Sequence, residues 1–134
     1  MNNQEMQSRV LAELEEMRFD NVFALLNTVL NPTNDLAEVI AFSDAISVLI
    51  NDGYIVIGTA ANSPRDEIVF ASAEGLQFAA KLNSWFRFDS DRNIWTYSGG
   101  DLRRARIPFL LITERGLRRS REILTERGYR WWTQ

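Results

Sequence analysis

The sequence contains neither histidine nor cysteine, and its lysine is a single residue, Lys81. These absences exclude His-based triads, thiolate nucleophiles, disulfides and the His/Cys sites that hold zinc. Carboxylates, hydroxyls and arginines survive as candidate chemistry, and none stands at a diagnostic spacing. Long apolar runs are missing as well: the longest, Ile107 to Ile112, passes through Pro108 and is far too short to span a bilayer. Met1 to Val10 lack the basic and apolar regions of a secretory signal, so a cytoplasmic location is expected. Gly53, Gly58, Gly99 and Gly100 form neither a dinucleotide nor a P-loop fingerprint. The expectation is therefore a non-catalytic chain with no cofactor, no metal site, no small-molecule ligand and no membrane partner.

What is present is ample apolar matter: 134 residues, 46% hydrophobic, with four Trp and eight Phe. That suffices for one domain, 1–134, with its own core. Met6, Val10, Leu14 and Met17 recur at helical spacing and predict an N-terminal helix over 1–17. A second helix follows, with Asp20 as its cap, Phe19, Phe23, Leu26 and Leu30 as its stripe, and Asn31-Pro32 as its stop. Asp35 and Glu38 have the spacing of a capping box and open a helical segment that runs to Asn51-Asp52, ended by Gly53.

Beyond Gly53 the period becomes extended. Tyr54 to Ile57 and Ile68 to Phe70 flank the turn-rich Asn62-Ser63-Pro64-Arg65-Asp66 and predict a β-hairpin. Ser72 is expected to cap a helix through about Phe86. Ile94 to Tyr97 and Ile107 to Ile112 predict a second hairpin, and Thr113 caps a last helix ending before Gly128. A shift of 41 residues lays Tyr54 on Trp95, Gly58 on Gly99, Arg65 on Arg106, Ser72 on Thr113, Gly75 on Gly116 and Leu76 on Leu117. The fold class is thus α+β, with N-terminal helices, a twice-used helix and β-hairpin unit, and a C-terminal helix. Its expected shared core contains Ile55, Ile57, Val69, Trp95, Leu111 and Leu124.

A helix ending in Asp52-Gly53-Tyr54-Ile55, then a strand, a polar wing, a second strand and Ser72-Ala73-Glu74-Gly75-Leu76, resembles the second half of a winged-helix domain. Thr113-Glu114-Arg115-Gly116-Leu117, after the second wing, repeats that similarity. The resemblance spans 18–88 as one winged unit, with 89–128 as an added wing and helix and 129–134 as an aromatic tail. It implies that Asp35 to Ala41 is the second helix and Ser43 to Asn51 a recognition helix for DNA. Two features oppose that transfer. Val39, Phe42, Ile46 and Leu49 suit one uninterrupted helix, and the segment carries Asp35, Glu38, Asp44 and Asp52 with no Lys or Arg. Helices laid over a sheet made of both hairpins are the alternative, similar to small acidic secretion-chaperone-like domains.

Charge is divided unevenly. Residues 1–100 hold six basic and fourteen acidic side chains, whereas 101–134 hold nine Arg and four acids. Arg103, Arg104 and Arg106 in the second wing, with Arg118, Arg119 and Arg121 on the last helix, are the candidate nucleic-acid contacts, since Arg forks match phosphate oxygens. The competing reading pairs these arginines with the acidic N-terminal helices. Tyr129, Trp131 and Trp132 are candidates for a partner or dimer interface, or for docking on the chain's own core. Trp85-Phe86-Arg87-Phe88 is a second aromatic cluster. Asp89-Ser90-Asp91-Arg92-Asn93 begins like a calcium loop but has Ile94 where the turn needs Gly, and reads as an Asp/Asn turn. Two functions stay open: a winged-helix-like regulator contacting nucleic-acid phosphates, and a self-associating or adaptor-type protein-interaction module.

Overall fold

The computed structural model describes residues 1–61, 66–101 and 105–134. Helix α1 covers Asn3–Met17; the Asn2 side chain caps it by accepting from the Glu5 amide, and Met6, Val10 and Leu14 are buried along one face. Arg18 closes it in the left-handed region at φ 70°. That turn leaves Phe19–Asn21 extended as strand β1, so Phe19 and Asp20 are not the stripe and cap of the next helix. Asn21 takes the capping role for α2 (Val22–Val29), accepting from the Ala24 amide.

Helix α3 is unbroken over Leu36–Asn51, with the Asp35/Glu38 capping box formed. Val39, Phe42, Ile46 and Leu49 have no exposed surface. The division into a helix over Asp35–Ala41 and another over Ser43–Asn51 is therefore corrected: each turn of the stripe is packed, and a break would expose it. Gly53, at φ 76°, ends the helix as expected.

Strand β2 (Ile55–Ala60) and β3 (Glu67–Val69) form the first expected hairpin, followed by α4 (Ser72–Ala80). Ala71 occupies the cap position of α4 without a side-chain bond, so Ser72 does not cap it. The helix stops at Ala80, a 3-10 turn spans Leu82–Trp85, and β4 (Phe86–Asp89) follows. The expected pairing of Ile94–Tyr97 with Ile107–Ile112 does not occur. Strand β5 (Ile94–Tyr97) pairs with β4 across the Asp89–Asn93 turn. Strand β6 (Ile107–Ile112) instead lies between β1 and β2, giving an antiparallel sheet in the order β1-β6-β2-β3. The physical reason is aromatic: Phe86 packs edge-on to Phe23 and Phe42, and Phe88 to Trp95, which draws 86–89 out of the helix into a strand. The 41-residue repeat thus survives as an order of elements and not as a repeated hairpin.

The main chain of β5 is held to α2 by Asn27. Its Oδ1 accepts from the Trp95 amide at 2.9 Å and its Nδ2 donates to the Trp95 carbonyl at 2.8 Å, reproducing a strand's pairing with one side chain. The last helix, α5 (Glu114–Arg127), is capped by Thr113 as expected. A Cβ on Gly116 would lie 2.1 Å from the Tyr54 carbonyl oxygen, so only glycine lets α5 start against the end of α3 and β2.

The core is one cluster running from Met6 to Ile123. Of its expected members Ile55, Ile57 and Trp95 are buried, but Val69 is 52% exposed and Leu111 and Leu124 are half-buried. Leu110, opposite Ile57, is the β6 side chain that fills the interior; its neighbour Leu111 lies on the other face by the alternation of the strand. Leu110→Ala should cost about 2–5 kcal/mol in urea denaturation, and Leu111→Ala well under that. Equal costs would contradict the register.

Candidate interaction surface

Of the arginines expected to bind phosphate, four are among the described residues. Arg103 and Arg104 lie outside the described residues. Arg106 reaches across to the β2–β3 hairpin, with Nη1 2.6 Å from Asp66 Oδ2, Nη2 donating to the carbonyls of Asp66 and Thr59, and Nε 3.3 Å from the Thr59 hydroxyl. Arg118, Arg119 and Arg121 are exposed on α5, at the far end of β6 from Arg106. Seven residues of strand rise separate Arg106 from Thr113, about 23 Å. Arg119 pairs with Glu122 on its own helix and Arg121 approaches Glu15 of α1 at 3.7 Å.

Two further C-terminal arginines are also paired within the chain. Arg127 meets Glu5 at 2.7 Å, and Arg130 meets Glu13 at 2.6 Å. Hydrogen bonding to Glu13 raises the Arg130 pKa against the opposing effect of burial. The tail folds back over α1 and α2: Trp131 Nε1 donates to Glu5 at 2.9 Å and Trp132 Nε1 to the Thr28 carbonyl at 3.2 Å. Arg127 lies over the Trp131 ring and Arg9 over the Trp132 ring. Trp131 and Trp132 are therefore docked on their own helices, while Tyr129 is exposed.

The surface that sequence reasoning missed is the outer face of the sheet. The helices pack on the side of Ile55, Ile57 and Leu110. The register puts Phe19, Leu111 and Val56 in one outer row, Asn21, Phe109, Gly58 and Val69 in the next, and Ile107, Ala60 and Glu67 in the third. Phe109 lies flat across Gly58, where a Cβ would stand 2.8 Å from the ring, and is only 7% exposed. Phe19 and Val69, on the two edge strands, stand 56% and 52% exposed. Between them opens a concavity of about 440 Å³, lined by Phe19, Val69, Ile107, Phe109 and Leu111 with alanines, Asn21 and the acids Asp20 and Glu67; among the described residues no helix residue lines it. Burial raises the Asp20 pKa, and neighbouring Glu13 adds to the rise against the Asn21 amide.

The sequence carried a signal for this face. Strand β6 is apolar at every position, whereas a sheet covered on one side needs only alternate apolar residues. Among the described residues no group of three carboxylates is placed to hold a metal, and Asp89 serves the β4–β5 turn by accepting from Asp91 and Arg92. No family model, curated protein or solved structure matches the chain.

The docked tail has a definite pH dependence. Burial alone would raise the Glu5 pKa, but hydrogen bonds from Arg9, Trp131 and Arg127 outweigh it and hold the carboxyl below its ordinary range. A carboxylate so depressed contributes stability above its unfolded pKa and loses it as pH falls through the folded value. Tail docking should be constant at neutral pH and weaken below about pH 4.3. The Trp131 indole N–H resonance should report this change, and Glu5→Gln should abolish its acid transition.

Proposed function

We propose that the chain is a non-catalytic protein-interaction module whose docking surface is the outer face of the β1-β6-β2-β3 sheet. One observation carries the reading: an apolar concavity bordered by two exposed hydrophobic side chains, Phe19 and Val69, with no helix residue in its lining among the described residues. Exposed apolar ground of this kind is costly to leave in water and characteristically marks a contact surface. The arginines weigh the same way, because Arg106, Arg127 and Arg130 are committed to carboxylates of the chain itself.

A second reading, contact with nucleic-acid phosphates as a winged-helix-like regulator, is favoured by the exposure of Arg118, Arg119 and Arg121 along α5. It does not use α3, whose only charges are acidic. The two readings separate in one pair of measurements. A photo-crosslinking amino acid at position 19 should give discrete protein adducts in the native cell, lost when Leu111→Asp places a charge in the concavity. Random duplex DNA should show no salt-dependent binding. A log K against log salt slope of about −0.9 per phosphate contact, reduced by Arg118→Ala, would establish the second reading in its place.

A further inference from the structure

The edge of the sheet says what kind of segment the outer face receives. In an antiparallel ladder, opposed residues alternate between pairs that exchange backbone hydrogen bonds and pairs that do not. The Phe70 amide donates to the Ile57 carbonyl, so Ile57/Phe70 is a bonded pair and Thr59/Ile68 is the next. Gly58/Val69 and Ala60/Glu67 are then the unbonded pairs. The N–H and C=O groups of Val69 and Glu67 consequently point away from β2, along the free edge of β3. Their side chains share the outer face, beside the concavity that both residues line.

This edge is short and carries one charge, Glu67, which disfavours an acidic partner strand and admits a basic one. It has no proline, bulge or lysine, all three residues are exposed, and among the described residues no strand lies beyond it. The opposite edge strand, β1, runs directly from α1 through Arg18 and into α2 at Val22, and its Asn21 amide is taken by the Asp20 carboxylate. Along β3 the chemistry is also asymmetric. Val69 offers an apolar contact, and Glu67, two residues away on the same face, is a carboxylate with no ion-pair partner among the described residues.

We infer, resting on the interaction reading above, that β3 accepts an extended segment of a partner protein as an antiparallel fifth strand, with an apolar residue opposite Val69 and Lys or Arg opposite Glu67. Main-chain bonds to Val69 and Glu67 supply register, and the two outer-face side chains supply selectivity. A second copy of β3 satisfies this poorly. Antiparallel pairing centred on Ile68 sets Glu67 against the partner's Val69, leaving each carboxylate without a cation and each apolar side chain beside a charge.

The test uses the full chain and three fluorescein-labelled peptides. The first, Thr-Lys-Ile-Val-Ile-Lys-Thr, places Lys two residues from Val whichever way it lies; the second replaces both Lys by Glu; the third is the first with its central Val amide N-methylated. The Lys peptide should bind about tenfold tighter than the Glu peptide, and Glu67→Gln should reduce that ratio to about threefold. N-methylation should weaken binding about tenfold without any change to the protein, and Val69→Pro should do the same from the protein side. Equal binding of the Lys and Glu peptides, or indifference to N-methylation, overturns the inference. So does concentration-dependent dimerisation that the Lys peptide competes away, which would assign β3 to a second copy. If no peptide binds while position 19 still crosslinks to a protein, the strand-addition inference falls and the interaction reading stands. If both fail, both fall.

Discussion

The two-sided pairing of β6 is the constraint on which the rest of the structure depends. Its amides and carbonyls alternate between β2 on one side and β1 on the other, so one six-residue strand joins a segment beginning at Phe19 to one beginning at Ile55. The Thr113 amide donates to the Tyr54 carbonyl, which places Pro108 in an unbonded pair with Thr59. Its missing N–H therefore faces the β1 side, one residue beyond the end of β1 at Asn21, where no ladder bond is lost. Proline at any β6 position paired on that side would cost a bond. The same strand delivers Leu110 to the core, Leu111 and Phe109 to the outer face, and Thr113 to the start of α5. Fold and surface are thus set by one register.

Electrostatics complete the closure that the sheet begins. The chain's charge split brings an Arg-rich C-terminal helix antiparallel to an acidic N-terminal one, with Arg121 near Glu15 and Arg127 at Glu5. Glu5 is shared by Arg9, Arg127 and Trp131, and Glu13 receives Arg130. Isolated surface pairs of this sort contribute about 0–1 kcal/mol each, and their joint effect is to orient the tail so that Trp131 and Trp132 cover α1 and α2. Three of the C-terminal arginines, Arg121, Arg127 and Arg130, meet N-terminal carboxylates and form a seam within the chain.

Local signals were legible and non-local ones were not. The Asp35/Glu38 box, the Thr113 cap, the Val39 to Leu49 stripe and the β2–β3 hairpin each depend on residues a few positions apart, and each formed where the spacing placed it. The partner of Ile107–Ile112 depended instead on Phe19–Asn21, nearly ninety residues away, and no spacing rule reaches that far. Phe86 and Phe88 fit a helix or a strand equally well until Phe23, Phe42 and Trp95 surround them. The Val69 and Leu111 errors follow from the same gap: alternation shows that a strand has two faces, but only the helices packed against Leu110 and Ile57 decide which face is inside. Among the candidate site residues, the pairing of Arg106 with Asp66 was hidden because it joins positions 40 residues apart.

The outer face has the form of a built hollow. Had residue 58 carried a side chain, its Cβ would meet the Ile68 carbonyl oxygen at 2.4 Å and the Phe109 ring at 2.8 Å, so both the β2–β3 pairing and the ring would have to shift. With glycine there, the ring lies down and is nearly fully buried, while Phe19 and Val69 stay raised on the rims. One of the two phenylalanines of the face is thereby removed from water, while Phe19 and Val69, which alternation could have exchanged for polar residues, are left in it. A chain with no partner for this face would gain solubility from charges at positions 19 and 69, as protected edges do. Lowering the floor while keeping the rims apolar concentrates contact area in a small concavity, where a single inserted side chain is surrounded on several sides and loses most water. The physical design favours a short segment entering along the β3 edge over a broad flat interface.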